Sequence, residues 1–262
     1  MPLIYLPDIR LNAVVSGPPN GPALILVHAL GTDLTIWDDL LPLLPPTLRI
    51  LTIDLRGHGK SDVPQPPYTM GALIRDVERL ADHSALTEAV VVGVSLGGLI
   101  AQGLAIKRLD LIRGMVLSNT ASRIGTPALW QARIDDVRAT GLGPCADGVM
   151  QRMFGRNFRT APQMPRIRAL LAGMAPAGWI GCAQAIMGSD FYTPTAGLTL
   201  PTLAIAGAND GTTPPDLVRE TADLIRGSRF ALMRNAGHLP MVEQPVEYAA
   251  ILTGFLQGIG HV

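Results

Sequence analysis

Short apolar runs, each stopping at small or polar residues, set the rhythm of the chain: 23–27, 48–53, 89–92, 115–117, 201–206 and 230–233. Apolar runs of three to six residues bounded by turn formers predict buried strands. Between them apolar positions recur at helical spacing. Leu73, Val77 and Leu80 share one face of a helix expected over 70–81, and Leu99, Leu104 and Ile106 one side of another over 99–107. A further helix is expected near Trp37, and Val246 to Leu256 predict the closing one. At the N-terminus, Leu3 to Leu6 and Leu11 to Val15 predict a short antiparallel pair. Strand and helix alternating in this way predict an α/β protein with a mostly parallel central sheet flanked by helices.

The alternation breaks at Ser122. From there to Thr195 no strong strand signal appears, and five of the ten methionines fall in this stretch. Trp130, Ile134 and Val137 fit one helix face; Ile167, Leu170, Leu171 and Met174 fit another. Because the strand pattern resumes at 201–206, the expected organisation is a core of residues 1–121 and 196–262 with a helical cap inserted at 122–195. Methionine packs adaptably, which suits helices over an apolar pocket. The plainer alternative is a helical segment whose methionines only fill gaps.

Composition narrows the choice of function. The chain has 262 residues, 48% of them apolar and 16% charged, with a formal net charge of zero. That length and apolar fraction suit one large core, and the charge balance gives no footprint for nucleic acid or a membrane surface. The two cysteines, Cys145 and Cys182, lack metal-ligand spacing and predict no disulfide framework. The opening Met-Pro-Leu-Ile-Tyr-Leu-Pro lacks a basic and apolar leader, so a cytoplasmic protein is expected.

Against this background one motif stands out. Gly93-Val94-Ser95-Leu96-Gly97-Gly98 follows a valine strand and opens a helix. That context makes Ser95 a candidate nucleophile on a strained strand-to-helix turn, with small residues two positions away on either side. Open α/β sheets place their chemistry beyond the carboxyl ends of strands. Asp210 follows the strand at 202–206 and His238 the strand at 230–233, giving the order serine, acid, histidine expected of this turn. Asp216 is the near rival as acid, but its position fits the first turn of the next helix. Among the other histidines, His28 and His58 follow earlier strands and suit loop bracing, His83 lies near a helix end and His261 in the tail. A hydroxyl needs a base to become nucleophilic, imidazole titrates in the right range, and a carboxylate fixes its tautomer. Two backbone N–H groups are expected to hold the oxyanion: Leu96, directly after the serine, and Leu30, in the loop after 23–27.

Over nearly its whole length the chain resembles the α/β-hydrolases, and within them the 3-oxoadipate enol-lactonases. The resemblance rests on 30–34 (Leu-Gly-Thr-Asp-Leu), Arg56-Gly57-His58-Gly59, Ser95-Leu96-Gly97-Gly98, 118–125 (Ser-Asn-Thr-Ala-Ser-Arg-Ile-Gly) and 210–215 (Asp-Gly-Thr-Thr-Pro-Pro). The elbow and Arg-Gly-His-Gly occur across many hydrolases, whereas Asn-Thr-Ala-Ser-Arg-Ile-Gly leading into Trp130 is more particular to the lactonases. Ala29 stands where glycine is common after the histidine, and Pro240-Met241 stands where the lactonases carry Ser-Asn. The later cap, 155–192, matches loosely.

The resemblance implies a serine triad, no cofactor and no metal. It also implies opening of a small anionic enol-lactone through an acyl-enzyme, in the protocatechuate branch of aromatic catabolism. A substrate carboxylate calls for a cation in the pocket. Arg123 at the cap entrance is the candidate, because guanidinium pairs carboxylate bidentately. Trp130 is the candidate for shaping the pocket. The alternative readings are a broad carboxylesterase or cofactor-free perhydrolase using the same triad on neutral esters, and a non-catalytic ligand sensor. The only partner expected is a small lactone or ester, with neither nucleic acid nor membrane; the oligomeric state stays open.

Overall fold

The computed structural model describes residues 3–262. The chain opens with β1 (Ile4–Leu6) and β2 (Ile9–Leu11), then β3 (Ala13–Ser16), β4 (Ala23–Val27), β5 (Arg49–Ile53), α1 (Met70–His83), β6 (Ala89–Val94), α2 (Leu96–Lys107) and β7 (Ile112–Ser118). Five helices follow without a strand: α3 (Pro127–Thr140), α4 (Leu142–Met153), α5 (Met164–Gly173), α6 (Pro176–Met187) and α7 (Tyr192–Ala196). The sheet resumes at β8 (Thr202–Gly207), and α8 (Pro215–Asp223), β9 (Arg229–Met233), α9 (Pro240–Glu243) and α10 (Pro245–Gly258) complete the fold.

Seven strands form one sheet in the order β3-β5-β4-β6-β7-β8-β9. All pairings are parallel except that of β3 with β5. Strands β4, β6 and β8 are buried at every residue, which is why they read as continuous apolar runs rather than as alternation. Helix α1 shows the opposite pattern. Leu73, Val77 and Leu80 are buried on one face, and the Thr69 side chain accepts the Ala72 N–H at 3.2 Å to cap its start. Helix α2 is buried at every position from Leu96 to Ala105, behind β6 and β7.

Two expectations are corrected. The antiparallel pair at the N-terminus is Ile4–Leu6 with Ile9–Leu11, while Ala13–Ser16 crosses to the main sheet and runs antiparallel to β5. The switch falls at Asn12, a buried residue whose N–H donates to Ser61 Oγ at 2.9 Å and whose Nδ2 donates to Asp54 Oδ2 at 2.7 Å. These bonds hold a polar residue between two strands and re-aim the chain. Near Trp37 there are two short 3₁₀ turns instead, Leu34–Trp37, which Asp33 caps through the Thr35 N–H, and Leu41–Leu43. Proline at 42 and at 45–46 leaves no room for a longer helix.

Strands β7 and β8 are hydrogen-bonded neighbours, with Ser118 opposite Ile205. The five helices between them therefore leave the sheet and return to the adjoining strand. Among the described residues no single helix is long and apolar enough to cross a membrane.

Candidate active site

The turn after β6 carries Ser95 with φ 57° and ψ −114°, in a region that residues with a side chain rarely occupy. Its backbone is held on both sides: the Ser95 N–H donates to Ser118 O at 3.0 Å, and Thr120 Oγ1 donates to Ser95 O at 2.7 Å. Gly97 permits the tight turn, because a Cβ there would lie 2.2 Å from Val27 O. The outcome is a buried serine at the N-terminus of α2, beyond the carboxyl end of a central strand.

Two and three strands along the sheet, the turns after β8 and β9 bring Asp210 and His238 together. His238 Nδ1 lies 2.8 Å from Asp210 Oδ2, so the Nδ1–H donates and Nε2 is left as the available acceptor. The same carboxylate oxygen accepts from Asn119 Nδ2 at 2.9 Å and from Thr213 Oγ1 at 2.7 Å. Its Oδ1 accepts the N–H groups of Thr212 and Thr213 at 2.7 and 3.1 Å. Burial on its own raises such a carboxyl, yet its electrostatic interaction and hydrogen bond with His238, together with the donors from Asn119 and Thr213, hold Asp210 below its ordinary range.

Ser95 and His238 line one cavity of about 100 Å³ with Leu30, Trp130, Val137, Leu142, Val149, Met153, Leu171 and Trp179. Among the described residues neither the Leu30 nor the Leu96 N–H donates to a protein acceptor; Leu30 lines the cavity, and Leu96 is fully buried directly after Ser95. The loop bearing Leu30 is set by two buried histidines. His28 Nε2 accepts the Leu55 N–H at 2.9 Å while its Nδ1–H donates to Ala29 O at 2.8 Å. His58 Nε2 accepts the Gly31 N–H at 3.1 Å while its Nδ1–H donates to Arg56 O at 3.1 Å. Burial lowers both imidazoles, His58 strongly and with His28 adding to the effect, so both sit neutral and each keeps an acceptor nitrogen. Loop bracing is what their positions after strands suggest. His83 ends α1 at the surface, and His261 bonds Ala23 O at 3.0 Å.

Of the two residues expected to meet substrate, one lies at the cavity and one does not. Trp130 is buried in its wall, with Nε1–H donating to Ile124 O at 2.6 Å. Arg123 is half-exposed and lies 3.6 Å from Asp190, in a surface depression with Thr126 and Tyr192 that does not include Ser95. Helix α3 begins only at Pro127, so Arg123 stays on the outer side of the segment leading into it.

The cations at the cavity are Arg133 and Arg152 instead. Neither forms an ion pair within 4.0 Å among the described residues. The Arg133 guanidinium stacks over Trp130 at 4.9 Å from the ring centroid. Burial, with Arg152 as like-charged neighbour, lowers Arg133 from its usual value. Helical spacing carried this information: Trp130, Arg133 and Val137 share a face of α3, and Cys145, Val149 and Arg152 share one of α4. Asn119 was equally accessible as a polar residue at a strand end. Among the described residues no three His, Cys, Asp or Glu side chains converge to hold a metal ion, and both cysteines are free.

A central parallel sheet with a strained serine on its strand-to-helix turn, facing an Asp–His pair, defines a hydrolase architecture. A model of the alpha/beta hydrolase family matches residues 24–251, and the chain belongs to that family. Within it the chain is 33% identical to 3-oxoadipate enol-lactonase 2 of Acinetobacter baylyi, over 91% of this chain and 90% of that one. The crystal structure of the enol-lactonase from Burkholderia xenovorans LB400 superposes with a TM-score of 0.94 at 31% identity, covering 98% of this chain and all of that one. A pimeloyl-[acyl-carrier protein] methyl ester esterase of Neisseria meningitidis serogroup C is 26% identical over 89% of this chain and 93% of its own length. The protein is an enzyme that hydrolyses esters or lactones.

Proposed function

We propose that this hydrolase opens a small enol-lactone carrying a free carboxylate, of the kind exemplified by 3-oxoadipate enol-lactone, with Ser95, His238 and Asp210 as its triad. The observation that carries the reading is the pair of guanidiniums, Arg133 and Arg152, that line the same small cavity as Ser95 and His238 with no ion pair within 4.0 Å among the described residues and outnumber its one carboxylate, Asp136. Arg133 is partly buried and Arg152 exposed, and the two are like-charged neighbours, so a bound anion offsets their mutual repulsion. The relatedness to two enol-lactonases supports the same substrate class.

In this mechanism His238 Nε2 takes the Ser95 proton as Oγ attacks the lactone carbonyl carbon. The oxyanion forms against the N–H groups of Leu30 and Leu96, each such donor being worth about 3 kcal/mol in the transition state. The ring C–O bond then breaks, the enol oxygen leaves, and His238 returns the proton to it. Conversion of the enol to the ketone removes the nucleophile that could reclose the ring. Water, deprotonated by His238, attacks the acyl carbon, and Ser95 departs with a proton to give the dicarboxylate product. Asp210, held ionised by its donors, stabilises the imidazolium in both halves. The α3–α7 segment acts as the cap that carries the anion site, and the reaction belongs to the cytoplasmic breakdown of aromatic compounds.

A second reading, a broader carboxylesterase, is favoured by the mostly apolar lining and the methyl ester esterase relative. One experiment separates the two: loss of enol-lactone absorbance measured beside hydrolysis of a neutral p-nitrophenyl ester. The expected result is a kcat/KM higher for the anionic lactone by about 100-fold, the scale of one charge-assisted pairing of about 3 kcal/mol. Ser95→Ala abolishes both activities. Equal turnover of the two substrates would favour the esterase, and persistence of activity in Ser95→Ala would remove the triad.

A further inference from the structure

Glu243, in α9, is a buried carboxylate that the proposed mechanism does not use. No ion pair involves it among the described residues. Its partners are backbone N–H groups of two separate segments. Oε1 accepts from Gly237, the residue before His238, at 2.8 Å, and Oε2 accepts from Gly155, just beyond α4, at 3.4 Å.

Those contacts are part of a larger junction. His238 N–H donates to Met153 O at 2.6 Å, and Gly211 N–H donates to Arg152 O at 2.9 Å. The last residues of α4 therefore bond to the loops of both His238 and Asp210. Gly237 lies so close beneath them that a Cβ there would sit 2.3 Å from Met153 O. Its carbonyl accepts from Asn119 Nδ2 at 3.0 Å. Gly237 is thus held by its C=O and its N–H, and the N–H is held only through Glu243.

We propose that Glu243 is a positioning residue for His238: its carboxylate bridges the Gly237 and Gly155 N–H groups and so locks the His238 loop to the end of α4. The proposal rests on the reading of His238 as the catalytic base. An ionised carboxylate offers a strong acceptor to each N–H, whereas a neutral carboxyl leaves one N–H facing a hydroxyl oxygen, a poorer acceptor, and weakens one arm of the bridge. The lock is therefore tight when Glu243 is ionised and slack when it is protonated.

Burial pushes Glu243 up to about 7, against the pull of its backbone donors, with the charge of Asp210 adding to burial. The exchange between the two states thus falls near neutral pH. The other ionisable groups on the segments that Glu243 bonds or that pack against α9 are His238 after β9, Arg152 and Arg156 flanking the 153–155 turn, Asp33 and Asp38 flanking the 3₁₀ turn at Leu34–Trp37, and Glu247 in α10.

The test is the pH profile of kcat for p-nitrophenyl acetate in wild type and Glu243→Gln, whose amide copies the protonated state. A slackened base loses rate rather than binding, so kcat of the variant at pH 8 falls by about 10-fold with KM within about twofold, short of the 100-fold that a misplacement of about 1 Å can cost. Below pH 7 the acid limb of the wild type is steeper than that of the variant, because only the wild type loses the Glu243 carboxylate there.

A matched pair at Gly155 serves if Glu243→Gln does not fold. Gly155 has φ −59° and ψ 151°, which proline can adopt. Gly155→Pro removes the N–H, whereas Gly155→Ala adds the same Cβ and keeps it. The expected result is a kcat several-fold lower in the proline variant than in the alanine one. Wild-type kcat and limb steepness in Glu243→Gln, or equal rates in the Gly155 pair, would overturn the proposal. Ser95→Ala, assayed alongside, keeps the questions apart: if it is inactive while Glu243→Gln behaves as wild type, only the role of Glu243 falls.

Discussion

Asp210 Oδ2 takes three donors, and they come from three different turns: Asn119 after β7, Thr213 after β8 and His238 after β9. A carboxylate so supplied stays ionised despite its burial, as an orienting acid requires. Asn119 also donates to Gly237 O, so a single amide sets the spacing between the acid and the histidine loop. At the other end of the cavity the important residue is Arg133. Its guanidinium has an aromatic face beneath it and, among the described residues, no ion pair within 4.0 Å, which in the proposed reaction leaves it to pair with the substrate carboxylate. Arg133→Ala should raise KM for the anionic lactone by about 10-fold, or about 1.4 kcal/mol, and leave KM for a neutral ester within about twofold. Steady-state kinetics on both substrates check this; an equal change in both would reduce Arg133 to a packing residue. Charge alone did not distinguish Arg133 from Arg123 in the sequence. What separates them is that Arg133 lies three residues from Trp130 on one helix, whereas Arg123 precedes the helix and finds Asp190 outside.

Among the elements, the β6–α2 unit was the most legible. A strand buried on both faces leaves a continuous apolar run, and the glycines behind the serine mark where backbone must approach backbone. Gly97 makes this approach against Val27 of β4, so Gly97→Ala forces strand and helix apart. The expected loss is about 3 kcal/mol, read as a lower urea midpoint with unchanged slope; a midpoint within error of wild type would show that the turn has slack. Less legible was the route at the N-terminus, because the switch between sheets depends on Asn12 meeting Asp54 and Ser61, partners over 40 residues away. The end of α4 was hidden for a similar reason. Periodicity tells which face of a helix is apolar but not which distant loops its final carbonyls will meet, and the bonds of Arg152 O and Met153 O leave no side-chain pattern.

For the whole molecule, buried ionisable groups set how stability depends on pH. Burial lowers His28, His58 and His261 below the ordinary imidazole value. Their folded forms resist protons that the unfolded chain binds below pH of about 6.5, so each lowers stability as the pH falls through that value. Glu243 acts oppositely: its folded form keeps a proton up to about 7 while the unfolded one releases it near 4.5, so its contribution declines as the pH rises between them. The strongly lowered His58, reinforced by His28 and His261, predicts a lower urea midpoint at pH 5 than at pH 7.5, and an equal or higher midpoint at pH 5 would show that Glu243 and the other buried carboxyls outweigh them. The return of the α3–α7 segment to the strand beside the one it left has a practical meaning for engineering. Its start lies beside the end of α6, where the Phe191 N–H donates to Ser122 O at 2.8 Å, so the stretch between these two residues is a natural cassette for transplanting specificity between related scaffolds. The transplant must preserve the peptide from Arg152 to Gly155, however, because that short stretch is the shared seam on which the acid and histidine loops rest. A graft matched only at its two ends would import a new pocket and misalign the residues meant to use it.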